Sequence, residues 1–396
     1  MNLKQPNKSF KLTFSGRAMH LKYFIIAGES SGDLHGSLLM KHMQELDPNV
    51  QFEGIGGNLM LSQGLKSFVD IKKMNVMGFV EVLKKYSFFK SVLNQAFEKI
   101  SLGEFDGIIL IDYPGFNLRL AKKIKRAFPN LPIHYYISPQ IWAWKEERVK
   151  IIQNFIDQMI VIFSFEKKWY SKHGVDAKFV GHPFLDIYDN VDKKIVRQKL
   201  GLNKNKNYIA LFPGSRLQEI KNHLPLMLNA INDTFFDNFE FLFGKARELD
   251  DIDLNHLNYK QKIHVIDKNP EDALIAADFA WVGSGSSTLQ SVIFNTPFIL
   301  LYKTSFLSWL IMKNFVKVKY AGMPNIILDK PLIPELIQQN LTTEKIITET
   351  KRFFNDTKYR DNLYNGFKHI ISELGEPGAS KRAANLIINY DRNEVN

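Results

Sequence analysis

Short apolar runs, each closed by a glycine-containing turn and followed by an amphipathic stretch, recur along the chain. The first run is Tyr23–Ala27; after it come Gly28-Glu29-Ser30-Ser31-Gly32-Asp33 and a helical pattern over Leu34–Leu46. This spacing predicts the opening strand, loop and helix of a parallel α/β sheet. Further apolar runs predict strands at Phe52–Ile55, Phe105–Ile111, Ile133–Ile137 and Gln158–Phe163, and a short one ending at Val180-Gly181-His182-Pro183. From Asp186 to Lys206 the composition turns polar and lysine-rich, which marks an interdomain linker. A second series then begins, with strands predicted at Tyr208–Phe212, Glu240–Phe243, Ile263–Ile266, Phe279–Val282 and Pro297–Tyr302. Two successive open α/β domains account for both series.

Composition narrows the class of protein. A chain of 396 residues exceeds one ordinary core, and 45% hydrophobic residues with 31 Phe provide for two. The formal charge of +11 suits phosphate-bearing partners or an anionic membrane surface without choosing between them. The absence of Cys excludes disulfides, thiolate zinc sites and a Cys nucleophile, and fits a cytoplasmic protein. No apolar run approaches the roughly 18 to 20 residues of a transmembrane helix. Met1–His20 is basic and lacks the apolar core of a secretory signal, so residues 1–19 read as a disordered extension with Met19 as an alternative start. Nucleic-acid binding would need aromatics on an exposed face, whereas most Phe here fall in apolar strands and helices.

Candidate chemistry gathers where strands end. The run Ile209–Phe212 stops at Pro213-Gly214, and Ser215 and Arg216 open the next helix. Gly214 lets the backbone turn closely, Ser215 can cap the helix, and Arg216 brings a five-donor fork to its positive end. This is anion-site chemistry, although a plain capped turn with a solvated Arg has the same pattern. A second small-residue helix start follows Val282: Gly283-Ser284-Gly285-Ser286-Ser287-Thr288-Leu289-Gln290. A nucleotide diphosphate would bridge the two loops, with Gln290 reaching a ribose hydroxyl. The predicted strand Phe105–Ile111 delivers Asp112 at its carboxyl end, the side on which open α/β sheets bind ligands; a turn Asp is the alternative. Met74–Leu93 mixes Met77, Phe79, Val80 and Leu83 with Lys84, Lys85 and Lys90, which suits either a core-facing helix or a lipid interface. No P-loop, G-x-S-x-G elbow or metal-ligand spacing occurs, so neither a Ser nucleophile nor a bound metal is expected.

Five stretches, Ile26–Asp33, Asn75–Val82, Ile111–Pro114, Ile137–Trp144 and Leu211–Arg216, together with Ser284-Gly285-Ser286, Met323-Pro324-Asn325 and Glu335-Leu336, closely resemble the lipid-A-disaccharide synthase family. The match runs in order from about Met19 onward. It implies a GT-B glycosyltransferase, an α/β protein of two Rossmann-like open-sheet domains facing a central cleft. The implied reaction joins UDP-2,3-diacylglucosamine to 2,3-diacylglucosamine 1-phosphate through a β-1,6 bond with inversion, releases UDP and uses no cofactor. Residues 20–187 would form the acceptor and lipid side, 188–353 the UDP-sugar side, and 354–396 helices packing back on an N-terminal domain of the same chain or of a homodimer partner.

By the same resemblance, Asp112 is the base and Arg216 stabilises the leaving diphosphate. Glu29, Ser30, Ser31, Asp33, Met77, Phe79 and Asn117 are substrate-side candidates. Gly214, Ser215, Arg216, Ser284, Gly285, Ser286, Ser287, Thr288, Gln290 and Asn325 would hold UDP. The lysine-rimmed Met77–Leu83 and a second apolar stretch, Phe306–Val318, would meet acyl chains at the cytoplasmic face of the inner membrane, with the enzyme peripheral to it. This chain departs from many relatives in having Gln290 where they have Glu, and Gly115 where they often have a second acidic residue; that absence implies that Asp112, and not a carboxylate pair, carries the base role. The same fold acting on non-acylated UDP-N-acetylglucosamine is the alternative.

Overall fold

The computed structural model describes residues 20–74, 86–188, 191–245, 259–305, 309 and 317–395. Seven parallel strands form the first sheet: β1 Lys22–Ala27, β2 Gln51–Gly56, β3 Lys66–Asp70, β4 Gly107–Ile111, β5 Ile133–Tyr136, β6 Gln158–Val161 and β7 Ala177–Phe179. Their order is β3-β2-β1-β4-β5-β6-β7. Six more form the second: β8 Asn207–Phe212, β9 Phe239–Gly244, β10 Ile263–Ile266, β11 Phe279–Gly283, β12 Phe298–Tyr302 and β13 Glu335–Ile337, in the order β10-β9-β8-β11-β12-β13. Helices cover both faces, so central strands such as Gly107–Ile111 are buried along their whole length. Strand order reverses once in each sheet, at β1/β4 and at β8/β11. These are the two crevices where open α/β sheets receive ligands.

The predicted strands all appear, with ends shifted by a few residues; β3 and β13 were not expected. Both are edge strands of half-buried pattern, paired to a single neighbour, and need no apolar run. The helix expected from Leu34 starts at Ser30, which puts Ser30–Asp33 in its first turn instead of in a loop. Met77 and Phe79, and nearly all of Phe306–Val318, lie outside the described residues. Among the described residues no helix is long and apolar enough to cross a membrane.

The last two helices go to different sheets. Thr357–Glu373 packs on Ser286–Ile293, Met323–Leu328 and Thr343–Asn355 of the second lobe, contrary to the expectation that this whole region turns back. Ala379–Val395 does return, lying against Ser30–Leu46 of the first. Asp186 receives the backbone N–H groups of Gly378, Ala379 and Ser380 at 2.5, 3.1 and 3.0 Å, fixing where this last helix begins. Near its far end, Asp391 meets buried His134 of β5 at 3.1 Å, while the other ring nitrogen of His134 meets Gln158 at 3.0 Å. With both partners in the protein interior, Asp391→Ala strands His134 without its carboxylate, and we expect a loss of about 2–3 kcal/mol in denaturant unfolding. A loss under about 0.5 kcal/mol, the range of ordinary surface substitutions, would show that the pair does not hold the helix.

Candidate active site

The first crevice is built around the end of β4. Asp112 and Tyr113 both take left-handed backbone angles, with φ of 42° and 49°, a conformation that non-glycine residues hold only when their surroundings impose it. Two donors impose it here: the Tyr135 hydroxyl and the Asn117 amide, the latter at 2.7 Å, both donate to the Asp112 carbonyl. Asn117 also donates to the Ile111 carbonyl at 3.1 Å and is fully buried. It is therefore a positioning residue behind Asp112 and does not face substrate as expected. The Tyr113 ring lies across Gly28, where an added Cβ would sit 2.4 Å from it, so only glycine permits the β1 and β4 loops to close together.

Two carboxyl groups share this crevice. Burial, with the nearby Glu29 charge adding to it, raises Asp112 to about 7, against a smaller opposing pull from the Tyr113 N–H. Glu29 is itself raised by burial and drawn back by the positive charge of Arg216. The partner carboxylate that Gly115 cannot supply thus comes from the β1 loop. Ser30 and Ser31 are exposed at the start of the 17-residue helix Ser30–Leu46, where no side chain caps the free amides. Asp33 behaves differently. Its carboxylate accepts from Gly57, Leu59 and Met60 N–H at 2.7, 3.1 and 3.0 Å and caps the helix Asn58–Ser62. We assign it to structure, against its expected place among the substrate ligands.

The second crevice faces the first. A Cβ on Gly283 would lie 3.0 Å from the Pro213 carbonyl and 3.3 Å from Gly214 N, so the β8 and β11 loops touch through glycine. Gly214 has φ +127° and Gly285 φ +151°. Ser215, Arg216, Gly285 and Ser286 are exposed and Ser284 and Ser287 half-buried, with the Ser284 hydroxyl donating to the Ala321 carbonyl at 3.4 Å and its N–H to the Leu301 carbonyl at 3.2 Å. Thr288 is buried with its hydroxyl on the Gly285 carbonyl at 2.7 Å, and buried Gln290 donates to the Tyr188 hydroxyl at 2.7 Å. Asn325 is withdrawn altogether. Its amide donates to Ile333 O and Glu335 and accepts from Leu332 N and Ile333 N, all between 2.8 and 2.9 Å, so the side chain is saturated within the fold.

Two residues that sequence reasoning missed organise this crevice. Glu219, one turn into the helix Leu217–Ala230, accepts from Ser215 N–H at 3.1 Å and from the Arg216 guanidinium at 2.8 Å. It aims Arg216 and occupies the anion position at the helix start. The pair is solvent-exposed on the Arg216 side, and such pairs contribute about 1 kcal/mol or less, so an anion could replace the carboxylate at little cost. His223, buried on the same helix, meets the Pro213 carbonyl with Nδ1 at 2.5 Å and receives the Lys303 N–H on Nε2 at 2.9 Å. Those partners assign the proton to Nδ1. Burial, the largest influence, lowers its proton affinity, in keeping with the neutral ring. The i,i+3 spacing of Arg216 and Glu219 was the readable signal; the His223 contact to Lys303, just past β12, had none.

Among the described residues no group of three or more His, Asp or Glu is placed to hold a metal ion. Positive charge at the second crevice comes from Arg216 and from helix starts. Glu29→Gln removes a negative neighbour from Asp112, which lowers the Asp112 value. We expect the acid limb of the kcat profile, near pH 7 in the parent protein, to move to lower pH. An unmoved limb in that profile means another group titrates.

The chain matches the family model described as lipid-A-disaccharide synthetase over residues 23–387. It is 37% identical to the lipid-A-disaccharide synthase of Syntrophus aciditrophicus over 367 residues, covering 91% of this chain and 95% of that one. It is 35% identical to that of Geobacter metallireducens over 379 residues, covering 94% and 98%. Among solved structures it is similar to a UDP-GlcNAc 2-epimerase from Neisseria meningitidis bound to UDP-GlcNAc, with a TM-score of 0.61, 11% identity and coverage of 93% and 99%. A calicheamicin glycosyltransferase gives 0.58, 11%, 94% and 98%. The structural likenesses establish the two-domain GT-B fold. The sequence likenesses, in register over nearly the whole chain, establish that it belongs to the lipid-A-disaccharide synthase family.

Proposed function

We propose that this protein transfers a 2,3-diacylglucosaminyl group from UDP to the 6-hydroxyl of 2,3-diacylglucosamine 1-phosphate, making the β-1,6-linked lipid A disaccharide and UDP. The observation that carries the mechanism is Asp112, raised to about 7 at one switch point, with Glu29 beside it and Arg216 across the cleft. A carboxylate with that affinity is half-ionised near neutral pH and accepts a proton efficiently. Asp112 takes the proton of the acceptor hydroxyl as that oxygen attacks the anomeric carbon. The bond from that carbon to the diphosphate breaks, and its electron pair leaves on the β-phosphate. A single displacement inverts the centre. Arg216, the amides at Ser215 and the start of the helix Ser286–Ile293 receive the developing charge. Gly214, Ser284, Gly285, Ser286 and Ser287 line the same place. Gln290 retains its amide oxygen for the ribose, and Thr288 contributes by holding the Gly285 turn.

Family membership at 32–37% identity favours acylated substrates over a non-acylated UDP-N-acetylglucosamine, since the epimerase likeness is confined to fold. The acylated substrates also support a peripheral position on the inner face of the inner membrane, served by the Met77–Leu83 and Phe306–Val318 stretches; a homodimer belongs to the same reading. The test is UDP release from the diacyl sugar nucleotide. We expect release only when the acylated sugar phosphate is present, and none from UDP-N-acetylglucosamine. Release independent of acceptor overturns the assignment.

A further inference from the structure

Three cations stand unpaired on the first lobe close to the proposed base. Lys145 and Arg148 follow β5 on its ligand side, and both lie over the Trp144 ring, with Lys145 Nζ 4.4 Å and the Arg148 guanidinium carbon 5.7 Å from its centroid. Trp144 is 42% exposed, so the ring forms a floor open to solvent. Lys145 is held in a left-handed turn, φ 57°, and shares the Trp144 ring with Arg148. Arg119 is exposed on the helix Pro114–Ala127, which begins two residues after Asp112. Burial, then the charge of Arg148 and, more weakly, that of Arg119 lower the proton affinity of Lys145; burial foremost, and Arg119 among the charges, do the same to Arg148, while the exposed Glu147 carboxylate opposes the shift in both. The three therefore repel one another, and none forms an ion pair with a carboxylate among the described residues. Their neighbour Glu146 turns away to Lys317 and His173. Three cations around the single carboxylate of Glu147 leave a net positive charge at a strand end, which suits an anion.

The position selects the anion. Arg148 is within electrostatic reach of the Tyr135 hydroxyl, the same hydroxyl that donates to the Asp112 carbonyl. The cluster is thus on the acceptor side, on the opposite lobe from the diphosphate loops. A glucosamine ring carries its 6-hydroxymethyl and its anomeric phosphate on the two carbons that flank the ring oxygen. With the hydroxyl at Asp112, the phosphate falls one sugar width away. We propose that Arg119, Lys145 and Arg148, gathered around Trp144, bind the anomeric phosphate monoester of the acceptor. The inference rests on the reaction proposed above. It assigns specificity: a dianion meets three cations, whereas a free anomeric hydroxyl leaves them unpaired.

Binding tests this apart from turnover. Asp112→Asn protein is titrated calorimetrically in detergent with short-chain 2,3-diacylglucosamine 1-phosphate and with the same sugar lacking the phosphate. The phosphorylated sugar should bind at least tenfold more tightly, and adding Arg148→Gln should remove about tenfold of that preference. Arg119→Gln and Lys145→Gln should each lower it, and the triple variant should bring it near one with UDP affinity unchanged. Equal binding of the two sugars overturns the proposal. So does a triple variant that keeps the preference, including one that loses only its binding to vesicles of anionic phospholipid, because the cations would then serve membrane headgroups. Failure of acceptor-dependent UDP release with discrimination intact would instead remove the reaction and leave the phosphate site standing.

Discussion

Asp112→Asn should lower kcat by about 10³-fold and leave UDP affinity within about twofold of the parent value. The amide has nearly the shape of the carboxyl group and keeps the left-handed turn, because Tyr135 and Asn117 hold the backbone carbonyl and not the side chain. What disappears is the ability to accept a proton. The same substitution should stabilise the protein. A carboxyl group raised to about 7 favours the fold when protonated; that contribution is full below its unfolded value near 4 and is lost as pH rises through 7. At pH 8 the parent therefore carries a buried charge that Asn lacks. We expect a higher Tm for Asp112→Asn at pH 8 and a smaller difference at pH 5. A variant that is both active and no more stable would remove Asp112 from the base role, and the assay pairs turnover with melting at the two pH values.

Arg216→Ala should lower kcat by about 10²- to 10³-fold, the range for losing one donor to developing charge, and weaken UDP binding about tenfold. The larger effect on rate than on binding follows from timing, since the bridging oxygen gains its charge only as the sugar departs. Arg216→Lys restores the charge without the fork and should fall between. If instead the substrate KM rose while kcat held, Arg216 would bind the diphosphate equally in ground and transition states, and the helix starts alone would stabilise the leaving group.

How far the sequence carries depends on whether a feature is written in one stretch of chain. Strands buried on both faces, such as β4 and β8, announce themselves as continuous apolar runs, and the residues at their ends follow from the rule that ligands sit there. The strand-end positions of Asp112, Arg216 and the Ser284–Ser287 loop were legible for that reason. Asp33 was misread because its partners, the amides of Gly57 to Met60, are brought to it by β2 and not by neighbouring sequence. Asn325 and Glu335 were matched separately yet form one hydrogen-bonded unit, in which Glu335 also receives Ala321 and Gly322 N–H. Trp142 has the same explanation: its indole N–H donates to buried Glu166 at 3.0 Å, and burial raises that carboxyl group to about 8. Residues of this kind are distinctive in sequence because they secure the loops, and a motif alone does not separate them from residues that touch substrate.

The return of the last helix has a mechanical result. The chain crosses between lobes twice, once after Tyr188 and once between Glu373 and Ala379, and the crossings are side by side: His182 N–H meets the Leu374 carbonyl at 2.9 Å and Asp186 holds the start of the final helix. A body joined at one point can swivel in any direction, but one hung on two adjacent pins turns about the line through them. Relative motion of the lobes is then expected about the line through these crossings, and it must also break a contact that joins them elsewhere, the Lys317 N–H on the Ala143 carbonyl at 2.8 Å.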